Sequence, residues 1–208
     1  GASWQRLDQD EEGSHQIAAI VIDPQDARRL WVGGAAGLRC SADGGATWRA
    51  AEGDLAWEPI YSIAFHPPSG KLYVGGSQGV YSSADGEHWE LRRAGLPSGP
   101  IWSLQVHPAN AHIVYAATNE GVFATDDGGG RWHPFSQGLP PQEPVRGILL
   151  DRRAPQRLFA STGLGAFLSS DGGATWQPFE TTLRHTIDIA HVVDALHGQG
   201  VTSEQSLW

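Results

Sequence analysis

Cysteine occurs once in this 208-residue chain, lysine once, and methionine not at all. The lone Cys40 excludes an intrachain disulfide and any metal site built from several thiolates. It sits in a strand-like segment just before a turn, where a buried, inert thiol is expected. Lys71 and the arginines total 14 against 23 acidic residues, for a formal charge of −9, and the basic residues do not cluster. Nucleic acid and anionic membrane are therefore poor partners for such a chain. No apolar run approaches the roughly 20 residues that span a bilayer, so membrane insertion is not expected. Helical periodicity and low-complexity segments are also missing. The chain opens Gly-Ala-Ser without an initiator methionine, consistent with removal of a leader or tag.

What the chain has is a repeat. Ser41-Ala-Asp-Gly-Gly-Ala-Thr-Trp48 returns as Ser169-Ser-Asp-Gly-Gly-Ala-Thr-Trp176 and, more loosely, as Thr125-Asp-Asp-Gly-Gly-Gly-Arg-Trp132. A fourth copy, Ser83-Ala-Asp-Gly-Glu-His-Trp89, is one residue shorter. Trp4, Trp48, Trp89, Trp132 and Trp176 are separated by 44, 41, 43 and 44 residues. A period in the low forties with strand-like patterning inside it points to a β-propeller, because one such unit cannot bury both of its faces alone.

The first unit sets the template. Ile17-Ala-Ala-Ile-Val-Ile22 reads as an inner strand buried on both sides, and Leu30-Trp-Val-Gly as the second strand. Leu38-Arg-Cys-Ser41 reads as the third, and Trp48-Arg-Ala-Ala as the start of a more polar outer strand. The expected architecture is all-β, a single small propeller with four-stranded blades at about 14–55, 56–97, 98–140 and 141–182. A worn fifth blade at 183–208 would take its outer strand from residues 3–9, with Ser3-Trp4-Gln-Arg-Leu7 locking the ring. Its inner strand would be Ile187-Asp-Ile-Ala-His-Val192. The alternative is four blades plus a tail, or a ring completed by residues beyond this sequence.

In the repeated motif, Asp can accept bonds from the backbone N–H groups that follow it, the glycines permit positive φ, and Trp covers a seam with one large apolar side chain. The motif resembles the Asp-box, or BNR repeat, of sialidases, sortilin-type receptor domains, xyloglucan-specific endoglucanases and photosystem II assembly factors. The resemblance covers about 170 residues, and the Ile-x-x-Ile-x-x-His/Asp-Pro strand looks most like the assembly-factor repeat and its bacterial relatives. It implies that the box residues Asp43 and Trp48, Asp85 and Trp89, Asp127 and Trp132, and Asp171 and Trp176 are structural staples on the rim opposite the working face. It also implies a scaffold character and favours an extracytoplasmic location. Sialidase activity is not implied, because the N-terminus lacks an Arg-Ile-Pro motif.

Functional residues are sought where the repeats differ. The start of each inner strand lines the mouth of a propeller's central channel, and aligned units place Ala18, Tyr61, Trp102, Arg146 and Asp188 there. Adjacent connections add Gln78, Asn119, Glu120 and His185. Two aromatics facing an arginine and a carboxylate suit a concave ligand site, although an Arg146–Asp188 ion pair plugging the channel fits as well. A protein or peptide partner is the leading expectation, since Tyr, Trp and Arg often anchor interfaces. A glycan stacked on Trp102 and Tyr61 is the second, and a hydrolase using Glu120 and Asp188 as acid and base the third. No cofactor and no catalytic or metal-binding residue is assigned. Gly75-Gly-Ser-Gln-Gly79 fits a nucleophile-elbow pattern but joins two strands rather than strand and helix. His66 and His107 precede prolines at matching turns, and His185, His191 and His197 recur every six residues in a tail where a metal cluster is conceivable.

Overall fold

A computed structural model describes residues 16–179. Within them the chain folds into four antiparallel sheets of four strands, each a meander in sequence order. The first sheet holds β1 (Ile17–Ile22), β2 (Leu30–Gly34), β3 (Gly37–Ser41) and β4 (Arg49–Ala50). The second holds β5 (Ile60–His66), β6 (Lys71–Gly76), β7 (Val80–Ser83) and β8 (Glu90–Arg92). The third holds β9 (Ser103–His107), β10 (Asn110–Thr118), β11 (Gly121–Thr125) and β12 (His133–Pro134). The fourth holds β13 (Val145–Leu150), β14 (Leu158–Thr162), β15 (Gly165–Ser169) and β16 (Gln177–Phe179). The only helical turn among the described residues is a 3-10 turn at Gly53–Ala56. Successive inner strands β1, β5, β9 and β13 adjoin, so the sheets stand side by side as blades of a β-propeller. The fifth blade and its closing N-terminal strand, at 183–208 and 3–9, lie outside the described residues.

Strand alternation assigns each blade two faces, one toward the blade before and one toward the blade after. The rear face of the second blade carries Ile63, Phe65, Leu72, Val74 and Tyr81, which pack on Trp31, Leu38 and Cys40 of the first. The third blade presents Leu104, Val106, Val114, Ala116 and Phe123 to Ala64, Tyr73 and Val80. The fourth presents Ile148, Leu150, Leu158, Ala160 and Phe167 to Tyr115, Ala117 and Val122. Close approach at these seams demands small residues: a methyl on Gly75 would lie 2.8 Å from the Ile101 side chain of the next inner strand. The buried Cys40 thiol is pushed up to about 11 by desolvation, which keeps it protonated and unreactive.

One expectation fails. Ile17, Ile20 and Ile22 of β1 are 52%, 61% and 40% exposed instead of buried on both sides. Their counterparts Ile60, Ile101 and Val145, at the Ile17 position, are all fully buried. The physical reason is that the rear face of the first blade has no preceding blade among the described residues, and only its forward face, with Val21, is packed.

Candidate functional site

The hairpins and turns divide between two ends of the blades. One end collects the first turn of every blade and all four repeat turns, and in three blades the two bond to each other: Gly44 N–H to Arg28 O, Gly128 N–H to His112 O, and Gly172 N–H to Gln156 O. Each repeat turn satisfies its own carboxylate. Asp43 accepts the Thr47 N–H at 2.9 Å and the Thr47 hydroxyl at 2.6 Å, and Asp171 does the same with Thr175. Asp127 accepts the Thr125 hydroxyl at 2.6 Å and the Arg131 N–H at 3.0 Å. In the short copy, Asp85 takes the N–H groups of Glu87 and His88 and the His88 ring at 2.7 Å. Hydrogen bonds from these neighbours hold all four carboxyls below their ordinary range, the Thr47 and Thr175 bonds bringing Asp43 and Asp171 to about 2.

Two of the four repeat tryptophans bridge blades through hydrogen bonds. Trp132 donates its Nε1–H to Arg92 O at 3.0 Å and its backbone N–H to Ala94 O, both on the preceding blade. Trp176 reaches back likewise to Phe135 O at 2.7 Å and to Gln137 O. Trp89, in the short turn, has a buried Nε1 with no partner among the described residues. Its seam is held in the opposite direction, by Trp31 donating forward to Gly86 O at 3.2 Å and by Arg29 to Asp85 O at 2.6 Å. Trp48 bonds only within its own turn, to Gly45 O. His66 and His107 lie at this end too. His66 Nδ1 meets Ser69 Oγ at 2.8 Å and its Nε2 meets Pro108 O, while His107 Nδ1 accepts the Ala109 N–H. His66 thus ties its own turn to that of the next blade, whereas His107 bonds only within its turn.

The other end holds the starts of the inner strands, the second hairpin of each blade and the blade-to-blade connections. Three of the sequence-derived mouth residues, each from a different blade, meet there. Tyr61 and Trp102 make an edge-to-face pair with ring centroids 5.0 Å apart and planes at 60°. The Arg146 guanidinium carbon stands 4.2 Å from the Trp102 ring centroid, on its face. Asn119 accepts the Trp102 Nε1–H at 2.9 Å, fixing the indole plane. Arg146 forms no ion pair with any described residue, so its N–H edge is available to an acceptor. Gln78 and Glu120 are exposed at hairpin tips beside the cluster, and Ala18 is exposed at its own strand start. His185, Asp188 and the histidine-rich tail lie outside the described residues, as does any pairing of Asp188 with Arg146 or Glu120. The Gly75-to-Gly79 segment forms the hairpin between β6 and β7, with no helix after it.

Two residues at this end escaped the sequence reading. Glu58 is 5% exposed, yet its carboxylate accepts the Gln78 N–H at 2.6 Å, the Tyr81 hydroxyl at 2.5 Å and the Ser77 hydroxyl at 3.3 Å. Burial first, then the bond to Glu58, pushes the Tyr81 hydroxyl far above its ordinary value, so Tyr81 remains a donor. A trace of this was present in the sequence: Glu58-Pro59 recurs as Glu143-Pro144, and Glu143 accepts the Gly163 N–H of its own blade's hairpin at 3.0 Å. A methyl at Gly76 or Gly163 would run into the respective carboxylate. The second residue is Trp57, 83% exposed next to Glu58. It falls outside the repeat register, which is why spacing did not find it.

No protein-family model and no curated protein matches the chain. Many solved structures do. An ancestral GH74 enzyme aligns with a TM-score of 0.66 at 21% identity, over 79% of this chain and 25% of that one. YCF48 bound to D1 peptide aligns at 0.57 and 20%, over 81% and 54%. YCF48 from Cyanidioschyzon merolae aligns at 0.61 and 18%, over 88% and 62%. These likenesses establish the propeller fold, and the chain spans only part of each of those proteins.

Proposed function

We propose that this chain is a non-enzymatic propeller scaffold, of the assembly-factor kind, that binds a protein or peptide on the mouth face through Tyr61, Trp102 and Arg146. The observation that carries this reading is the stack itself. Three blades contribute one member each, Asn119 locks the indole, and the guanidinium edge is left with donors to offer. Such a preorganised aromatic–arginine group loses little side-chain entropy on binding, which is what makes residues of this type interface anchors. A peptide carbonyl or carboxylate satisfies the Arg146 donors, and apolar side chains fit against Tyr61. One solved structure of the same fold, YCF48, holds a peptide, which supports the same class of partner here.

A glycan is the second reading, favoured by the exposed Trp57 ring, which offers a free stacking platform. Trp102 suits it less well, because Arg146 already covers the indole face. A displayed library of random peptides panned on the whole chain, run beside a glycan array, separates the two. The expected result is enriched peptides whose binding is lost in both Trp102→Ala and Arg146→Ala. Selective glycan binding lost in Trp57→Ala would replace this reading with the second, and peptides retained by both mouth variants would remove the mouth as the binding face.

A further inference from the structure

Leu30, Leu72, Val114 and Leu158 align as the first core residues of the four second strands, through the registers Ile22↔Leu30, Phe65↔Leu72, Val106↔Val114 and Leu150↔Leu158. Immediately before them stand Arg29, Lys71, Ile113 and Arg157. Each of the three cations lies over the aromatic ring two residues on: Arg29 5.1 Å from the Trp31 centroid, Lys71 Nζ 5.3 Å from Tyr73, and Arg157 5.8 Å from Phe159. The two arginines also pair with the aspartate at the end of the inner strand, Arg29 with Asp23 at 3.5 Å and Arg157 with Asp151 at 3.6 Å. In the second blade His66 takes the place of that aspartate, opposite Lys71. Lys71 forms no ion pair with any described residue. The one lysine of the chain thus stands where two other blades have an arginine with its counterion.

The Lys71 amine instead faces the third blade. Lys71 Nζ and His112 Nδ1 each lie 2.9 Å, and Tyr73 Oη 3.2 Å, from the point where a side chain on Gly128 would begin. At the matching turn positions Gly44 meets nothing within 4 Å, Gly86 meets the Trp31 ring, and Gly172 meets only Tyr115 Oη at 3.9 Å. The meeting of amine, imidazole and phenol is therefore particular to this seam. Tyr73 gives its hydroxyl proton to Ala111 O at 2.7 Å. His112 uses its backbone N–H and C=O in the turns, and its ring has no hydrogen-bond partner among the described residues. Lys71 is half-buried and His112 exposed, so a small molecule reaches both. Burial first, and then the charge of Arg92, lower the Lys71 ammonium below its ordinary 10.5, while Glu90 acts the other way.

We propose that Lys71 is an acylation site: its amine, with His112 beside it as proton acceptor, takes the acyl group of a small thioester. This site is independent of the partner assigned to the mouth. An amine at an apolar seam, near another cation and without a counterion, is held closer to its neutral, nucleophilic form. The arginines of the first and fourth blades cannot lose a proton in this way. Lysine for arginine and histidine for aspartate therefore change the chemistry of the position together. The neutral amine attacks the thioester carbonyl carbon, so that a C–N bond forms and the C–S bond breaks. The proton leaving nitrogen passes to His112 Nδ1 and then to the departing thiolate. Amide and thiol are the products, and no further reactant is needed. The amide carries no charge to desolvate, and the Tyr73 oxygen, its own proton already given to Ala111, keeps a lone pair for the amide N–H.

The test is acetylation of the whole chain by a small acetyl thioester, S-acetyl-N-acetylcysteamine, followed by mass spectrometry of the Lys71 peptide. The α-amino group of the same chain serves as the reference amine. The native chain is compared with the chain unfolded in guanidinium chloride, where Lys71 is an ordinary lysine. Relative to the reference, Lys71 should react about ten-fold or more faster in the native chain. His112→Gln, at an exposed position that leaves the fold intact, should remove most of that excess. His66→Asp, which restores the carboxylate of the first and fourth blades, should slow the reaction as well. A native rate at or below the unfolded one would overturn the proposal. So would an excess that survives undiminished in a folded His112→Gln chain, because the imidazole would then take no part.

Discussion

The two ends of the blades are made of the same strands yet are built to opposite purposes. At the repeat-turn end each of the four box aspartates is engaged by its own turn, and Trp132 and Trp176 spend their N–H groups on the blade behind. At the mouth end stand Tyr61, Trp102 and Arg146, which touch each other; Asn119 takes the Trp102 N–H, while Arg146 forms no ion pair with any described residue. The difference teaches that residues repeated from blade to blade hold the blades together, whereas the residues we propose meet a partner are ones that break the repeat. Glu58 at the mouth end follows the same rule, since its Glu-Pro pair recurs at Glu143 and both carboxylates are engaged in structure.

Removing a seam tryptophan should be the most damaging change. Trp132 is 2% exposed, and Trp132→Ala should cost roughly 3–5 kcal/mol through the cavity and the lost seam bonds, measured by denaturant unfolding. If mouth variants proved equally costly, the division between the ends would fail. Next comes Glu58→Ala, which strands the Tyr81 hydroxyl and the Gln78 N–H in a buried place. A loss of about 1–3 kcal/mol is expected, with Glu58→Gln restoring part of it, whereas a neutral Glu58→Ala would mean that the hairpin needs no anchor.

A finer comparison is internal to the turn end. Trp132→Phe gives up a hydrogen bond and should cost about 1 kcal/mol beyond the change in ring size, whereas Trp89→Phe removes an N–H that already lacks a partner and should cost less or stabilise. Equal costs would show that Nε1 is not what joins the later seams. The same end predicts a pH dependence. Its four aspartates have folded values below the ordinary 3.8, so their contribution is present above about pH 4 and is lost as pH falls toward 2. Melting temperature should drop across that window, and Asp171→Asn should flatten the drop. The His88 ring, raised by Asp85, adds a small contribution of opposite sign, present below its ordinary 6.5 and fading as pH rises above it.

The scaffold was legible in the sequence because a repeat turn states its own geometry: an Asp, two glycines and a Trp at fixed spacing can close in only a few ways. Register did the rest, since aligning the units brought Tyr61, Trp102 and Arg146 to one level before any contact was seen. Trp57 was not legible because it sits in a connection outside the repeat register, and Glu58 left only the trace of a Glu-Pro pair shared with Glu143. The exposed face of β1 was misread for a different reason. An apolar strand shows that burial is wanted, but not which neighbour supplies it.

The mouth's role is tested most directly by the affinity of a panned peptide for the wild-type chain and for Arg146→Ala, measured by calorimetry with melting temperatures taken in parallel. A loss of about 30-fold or more, as for an interface anchor, with an unchanged melting temperature is the result expected. Undiminished affinity in a folded Arg146→Ala protein would contradict it.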